Sequence, residues 1–222
     1  MMLVNNFISF LKSIYFFFKY RPKVCSVVWE NSEVFSVYIS GQNLDQLNIK
    51  AGQYLKFRFF KKGIYYREYP LSLSSLPRGG VFRITIKNVS PFTDKISKLR
   101  VGQNVFFRGP FGGEIKKESE GKFLIVAGGV AVSVARVVFE DLVKKNNDVC
   151  LICSVSKSSD ILFKKEFDEL VDKYGGKVIY YFSQKEGRLN REKIANLVPD
   201  FSDRKILVYG PKEMVSDLSD LK

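Results

Sequence analysis

Near residue 120 the chain changes its hydrophobic pattern, and the two patterns belong to different kinds of core. Before that point, short runs alternate apolar with polar residues and break at Gly and Pro. Strands are predicted over residues 24–29 and 34–39, parted by the polar turn Glu30-Asn31-Ser32-Glu33. Others are predicted over 54–60 after Ala51-Gly52-Gln53, over 81–87 after Pro77-Arg78-Gly79-Gly80, and over 105–108 before Gly109-Pro110-Phe111-Gly112-Gly113. A short helix is predicted over 93–99. Strands at this spacing argue an antiparallel β-barrel of Greek-key type.

After the charged stretch 116–122, strands become continuous apolar runs, at 123–127, 149–154, 177–182 and 205–209. Helices are predicted between them over 132–145, 160–174 and 191–197. Strands buried on both faces that alternate with helices make a parallel, doubly wound α/β sheet. Gly128-Gly129 lies between its first strand and first helix, where such sheets take a dinucleotide pyrophosphate. The expected organisation is an N-terminal segment 1–21, a barrel domain 22–118 and an α/β domain 119–222.

What is missing narrows the chemistry. The chain has no histidine, which excludes imidazole acid–base catalysis and His-ligated metal or haem. Three cysteines are too few for a four-thiolate iron–sulfur cluster within one chain. Cys150 and Cys153 form a Cys-x-x-Cys pair inside an apolar run. An offset of three places their sulfurs on opposite faces of a strand, so they read as buried structural thiols. Nothing suggests a disulfide framework, which fits a reducing, cytoplasmic compartment. The formal charge of +13 is spread along the chain, with no zinc-finger or RNP-like signature. A solvated basic surface is expected rather than a nucleic-acid partner, with anionic lipid or an acidic redox partner as the second reading.

The apolar run 7–18 is too short to span a bilayer and is interrupted by Lys12, and no small-residue cleavage site follows it. Phe7, Leu11, Ile14, Tyr15 and Phe18 share one helical face, with Lys19, Arg21 and Lys23 behind them, an interfacial-helix pattern. Packing of the stripe on its own domain or on a partner is the other reading, and both stay open here. The expectation carried forward is that residues 1–20 touch a membrane or a membrane partner rather than joining the barrel.

Four motifs follow one another along the chain. Gly52-Gln53-Tyr54 precedes Tyr69-Pro70-Leu71-Ser72-Leu73-Ser74-Ser75-Leu76-Pro77. Lys87-Asn88-Val89-Ser90-Pro91-Phe92-Thr93 leads to a helix, with Gly109-Pro110-Phe111-Gly112 beyond it. Then come Ala127-Gly128-Gly129-Val130-Ala131-Val132-Ser133-Val134-Ala135-Arg136, and finally Gly187-Arg188-Leu189 with Val208-Tyr209-Gly210-Pro211-Lys212-Glu213-Met214. In this order they resemble the ferredoxin–NADP reductase superfamily, most closely the cytosolic FAD/NAD module attached to ferric-reductase-like membrane proteins.

The resemblance implies roles. Ser72 is the catalytic residue, hydrogen-bonding the flavin near N5. Tyr69, Pro70 and Leu71 precede it, with Tyr69 in the family's Arg or His position and Leu71 in its aromatic one. The pyrophosphate cation is displaced, and Arg67, two residues earlier on the same strand face, is the expected substitute; Arg67-x-Tyr69 also offers a second register. Lys87 and a helix N-cap at Thr93 are implied at the FAD pyrophosphate, with Ser90 replacing a glycine, and Gly109 closes the barrel. Gly128, Gly129, Val130 and Ser133 are implied for the nicotinamide nucleotide, with Ala131 and Val134 in the places of Gly and Pro. Lys157 and Ser158 lie where adenosine-ribose selectivity is set. Tyr209, Gly210 and Pro211 are implied at the nicotinamide, with Tyr209 where the family has Cys.

The implied activity is that of an NAD(P)H-dependent, FAD-containing reductase, passing electrons from NADH or NADPH through FAD to a protein or small-molecule acceptor. NADH is expected over NADPH, because Ser154 stands where an Arg often does. The substitutions at 69, 71, 131, 134 and 209 support two rivals: a cofactor-binding module without turnover, and a basic interaction subunit at a membrane surface. Family members carry a further strand after the Gly-Pro-x-x-Met helix. Its absence here leads to the expectation of an uncovered sheet edge and an open flavin face.

Overall fold

The computed structural model describes residues 2–59, 68–113 and 120–221. The chain divides into two compact units, residues 1–114 and 115–222. The expected boundary at residue 118 lies in the stretch 114–119, outside the described residues.

The first unit runs α1 (Met2–Tyr20), β1 (Lys23–Trp29), β2 (Val34–Ser40), β3 (Tyr54–Phe59), β4 (Tyr69–Arg78), β5 (Val81–Lys87), α2 (Pro91–Ser97) and β6 (Val105–Phe111). Its strands pair antiparallel in the order β1-β2-β5-β4-β3-β6. A bridge between Lys23 and Asn104 brings the first strand back beside the last, and the Val24 amide donates to the Gln103 carbonyl. Alternation directs Phe35, Val37 and Ile39 of β2, Leu55 and Phe57 of β3, and Phe82 and Ile84 of β5 into one apolar core. The serine-rich stretch stays in strand because its inward hydroxyl is satisfied. Thr85 donates to Ser74 at 2.7 Å, and Ser36 lies 2.8 Å from Thr85.

The helix α1 corrects one half of the expectation for residues 1–20: it packs on the barrel and does not stand apart from it. Phe16 and Tyr20 place their rings 5.8 and 5.9 Å from Phe107, and Phe17 stacks on Phe106 at 4.4 Å. The face that packs carries Ser9, Ser13, Phe16 and Tyr20, not the stripe singled out in the sequence. Small serines let the helix approach closely, and the Ser9 hydroxyl donates to Glu68 at 2.7 Å. Glu68 also receives Arg58 at 3.1 Å and Arg108 at 2.8 Å. Burial alone would push the Glu68 carboxyl up. Hydrogen bonds from Arg108 and Ser9, with the charges of both arginines, outweigh it and hold the group at about 2.

The second unit runs β7 (Lys122–Gly128), α3 (Val132–Val143), β8 (Asp148–Val155), α4 (Lys164–Tyr174), β9 (Lys177–Phe182), α5 (Ser183–Glu186), α6 (Arg191–Leu197), β10 (Lys205–Tyr209) and α7 (Lys212–Asp217). The four strands are parallel in the order β10-β7-β8-β9. Leu124, Val126, Cys150 and Ile152 face one apolar layer with Ile194, Val198 and Leu218. On α3 and α4, Phe139 meets Phe167 edge-on at 5.9 Å. Both cysteines of β8 are buried, and burial pushes the Cys153 thiol up to about 12. The helix expected from residue 160 starts at Lys164, because Phe163 turns left-handed at φ 57° and its buried side chain anchors the turn.

Candidate functional site

In the first unit, the register of β4 places the residues. Tyr54 faces Ser72, Leu55 faces Leu71, Lys56 faces Pro70 and Phe57 faces Tyr69. Leu71 packs on the barrel core, while Ser72, one residue on, points to the other face of the strand beside Tyr54. The Tyr54 ring lies 5.6 Å from that of Phe111. The turn that delivers Phe111 depends on Gly109, whose φ is 144°; an added Cβ would fall 2.8 Å from Leu55 Cδ2. Half-buried Ser72, Tyr54 and Phe111 thus form a wall suited to a planar ring.

Tyr69, in the position of the family's cation, stacks on Phe92 with ring centroids 3.5 Å apart. Phe92 sits in the first turn of α2, and the cap of that helix differs from the one expected. Ser90 is the N-cap, receiving the Thr93 amide at 3.2 Å, and Thr93 at the third helical position receives the Ser90 amide at 2.9 Å. Thr93 therefore closes a reciprocal capping box instead of capping alone. Lys87 pairs with Glu33 at 3.0 Å on the surface. Arg67 lies outside the described residues. A cavity of about 770 Å³ lies between Tyr69, Phe92, Ile96 and Leu99, lined also by Lys95 and Arg100; Ser72 is not among its walls.

In the second unit the expected residues converge better. β7 ends at Gly128, and exposed Gly129, at φ 57°, turns the chain into α3. A Cβ on Gly128 would meet the sulfur of Met214, and one on Gly210 would lie 2.8 Å from it. The thioether of α7 therefore packs on the ends of β7 and β10, which explains glycine at both positions. Beside it runs a groove of about 300 Å³ lined by Gly128, Gly129, Ser154, Ser156, Arg188 and Pro211, among others. Exposed Arg188 pairs with Glu213 at 3.3 Å and Asp217 at 4.0 Å. Tyr209 ends β10 opposite Ala127, and burial pushes its phenol up to about 12.

Of the residues expected here, Gly128, Gly129 and Pro211 line the groove, and Val130, Ser133, Lys157, Tyr209 and Gly210 do not. Ser133 is buried, and its hydroxyl donates to the Val130 carbonyl at 2.7 Å. Lys157 is exposed beyond the groove, its amide donating to Asp160 at 3.3 Å. Arg188, Ser156 and Ser183 line the groove without having been assigned a role. Their signal was present: ligands of open α/β sheets sit at the carboxyl ends of the strands, and Ser183 directly follows the strand predicted over 177–182.

Residues 125–220 match the oxidoreductase NAD-binding domain. The chain is 27% identical over 189 residues to the plasma membrane-associated coenzyme Q6 reductase of Saccharomyces cerevisiae, covering 77% of this chain and 60% of that protein. It is 26% identical over 212 residues to NADH-cytochrome b5 reductase 1 of Dictyostelium discoideum, covering 88% and 73%. Among solved structures, the ferredoxin-NADP+ reductase of Plasmodium falciparum superposes with a TM-score of 0.74 at 15% identity, over 90% of this chain and 88% of that one. That likeness shows the fold: an antiparallel barrel unit followed by a parallel α/β unit.

Proposed function

We infer that this chain, a member of the ferredoxin–NADP reductase superfamily, takes electrons from NADH or NADPH into FAD and hands them to an acceptor. The observation that carries the reading is the junction built by Met214 on Gly128 and Gly210, which shapes a nucleotide groove at the ends of the central parallel strands. Exposed Gly129 offers its turn to a pyrophosphate. Tyr209, two residues before groove-lining Pro211, is assigned to the nicotinamide end. In the barrel unit, the wall of Ser72, Tyr54 and Phe111 takes the flavin ring, with the Ser72 hydroxyl as hydrogen-bond partner at N5. The Phe92 amide in the first turn of α2 is the donor offered to a phosphate, since Pro91 has no N–H and the Thr93 amide is taken by Ser90. Bound FAD supplies the conversion between two-electron and one-electron transfer.

The acceptor is a protein or a small molecule; the relatives' names specify coenzyme Q6 in one case and cytochrome b5 in the other. NADH is the favoured donor, since Ser154 and Ser156 in the groove suit a ribose hydroxyl. A second reading, an interaction subunit that has lost its cofactors, is favoured by one observation: Tyr69 is stacked on Phe92 where the resemblance puts a cation. Titration with FAD, following the quenching of free-flavin fluorescence, tests the proposal. Saturable binding at one flavin per chain is the expected result, and its absence refutes the electron-transfer reading in favour of the second.

A further inference from the structure

The helix α1 has two unlike faces, and among the described residues only one packs on the rest of the chain. Ser9, Ser13, Phe16 and Tyr20 face the barrel. On the far side, Ile8, Leu11, Tyr15 and Phe18 are 46, 48, 61 and 66% exposed. At 100° per residue they form one stripe along the helix. Four of the ten exposed large apolar side chains among the described residues lie in this stripe, so it is a patch and not scatter. Lys12 and Lys19, both exposed, border it on one flank, and Arg21 and Lys23 are exposed just beyond the helix.

The charge around the stripe selects among occupants. α1 contains no acidic residue, and the whole chain carries +13. Two copies meeting through this stripe would bring like-charged lysine margins together with no carboxylate on either helix to pair them. An anionic surface meets both features at once. The helix does not cross a bilayer: its inner face is fixed to the barrel, and no helix among the described residues is long and apolar enough to span. We propose that the outer stripe of α1 is a docking face for an anionic lipid bilayer, with the helix lying in the membrane plane, Leu11, Tyr15 and Phe18 at the acyl boundary and Lys12 and Lys19 at the headgroups. This goes beyond the electron-transfer reading and does not depend on it.

Sedimentation of the full chain with vesicles of phosphatidylcholine and phosphatidylglycerol, against pure phosphatidylcholine, tests the proposal without measuring activity. Binding to the anionic vesicles is expected, weakened by salt. The pair Leu11→Ser and Phe18→Ser should lower partitioning by roughly tenfold or more while thermal unfolding stays unchanged. Tyr15→Trp provides a readout that does not depend on that variant: its emission should shift to the blue and be quenched by brominated lipid. Equal sedimentation with and without anionic lipid would overturn the proposal, as would an unquenched Trp at position 15. A concentration-dependent dimer that the serine variant turns into monomer would make a second copy the occupant and overturn it as well.

Discussion

The ring of Tyr69 lies flat on that of Phe92, with centroids 3.5 Å apart and planes inclined by 18°. This contact joins the first residue of β4 to the first turn of α2, at the place where the superfamily resemblance puts a cation for the FAD pyrophosphate. Replacing Tyr69 with Arg should strengthen FAD binding by about tenfold, the scale of one charge-assisted hydrogen bond. Fluorescence titration measures it. Weakened binding would mean that the aromatic stack is itself part of the flavin site.

Ser72 stands beside Tyr54 on the face of β4 that turns away from the barrel core. Loss of its hydroxyl should slow flavin reduction by NADH by about tenfold or more and leave FAD content nearly unchanged. Anaerobic stopped-flow reduction of Ser72→Ala resolves the two effects. An unchanged reduction rate removes Ser72 from the catalytic role.

Met214 occupies the space that any side chain at position 128 would need. Gly128→Ala must push the thioether aside and reshape the groove, so affinity for NADH should fall by roughly tenfold. FAD affinity should not change. Calorimetric titration of both ligands checks the split, and equal loss of both would point to global unfolding instead.

The sequence was most legible where burial left no choice. Strands buried on both faces, Lys122–Gly128 and Asp148–Val155, fall within one residue of where the continuous apolar runs put them. Local exchange of roles was harder to read. Ser90 and Thr93 are both hydroxyl residues in a reciprocal capping box, and only the backbone reveals which one begins the helix. The packed face of α1 was missed because its contact residues include Ser9 and Ser13, while hydrophobic periodicity weights the larger side chains of the exposed stripe. The stack of Tyr69 on Phe92 links two elements far apart in sequence, so no periodicity could have revealed it.

Glu68 ties α1 to the barrel through Ser9, Arg58 and Arg108, and it is held at about 2 against an ordinary value of 4.5. A carboxylate with a lowered folded-state pKa contributes stability that is complete above the unfolded value and lost as pH falls through the folded one. Thermal stability should therefore decline between pH 4.5 and about 2. Glu68→Gln should cost about 1–3 kcal/mol at neutral pH, since two arginines then face each other across a half-buried site, and should flatten that decline. Melting curves across the acid range for both proteins test this. Parallel pH profiles would show that the cluster does not couple to folding.

In the proposed function, one chain binds FAD and accepts reducing equivalents from a nicotinamide nucleotide. The most direct measurement is the visible spectrum of the FAD-loaded protein under anaerobic conditions, before and after a stoichiometric addition of NADH. A flavin absorbance band is expected that bleaches on addition and returns when an electron acceptor is supplied. A band that persists unchanged with both NADH and NADPH would contradict the proposed function.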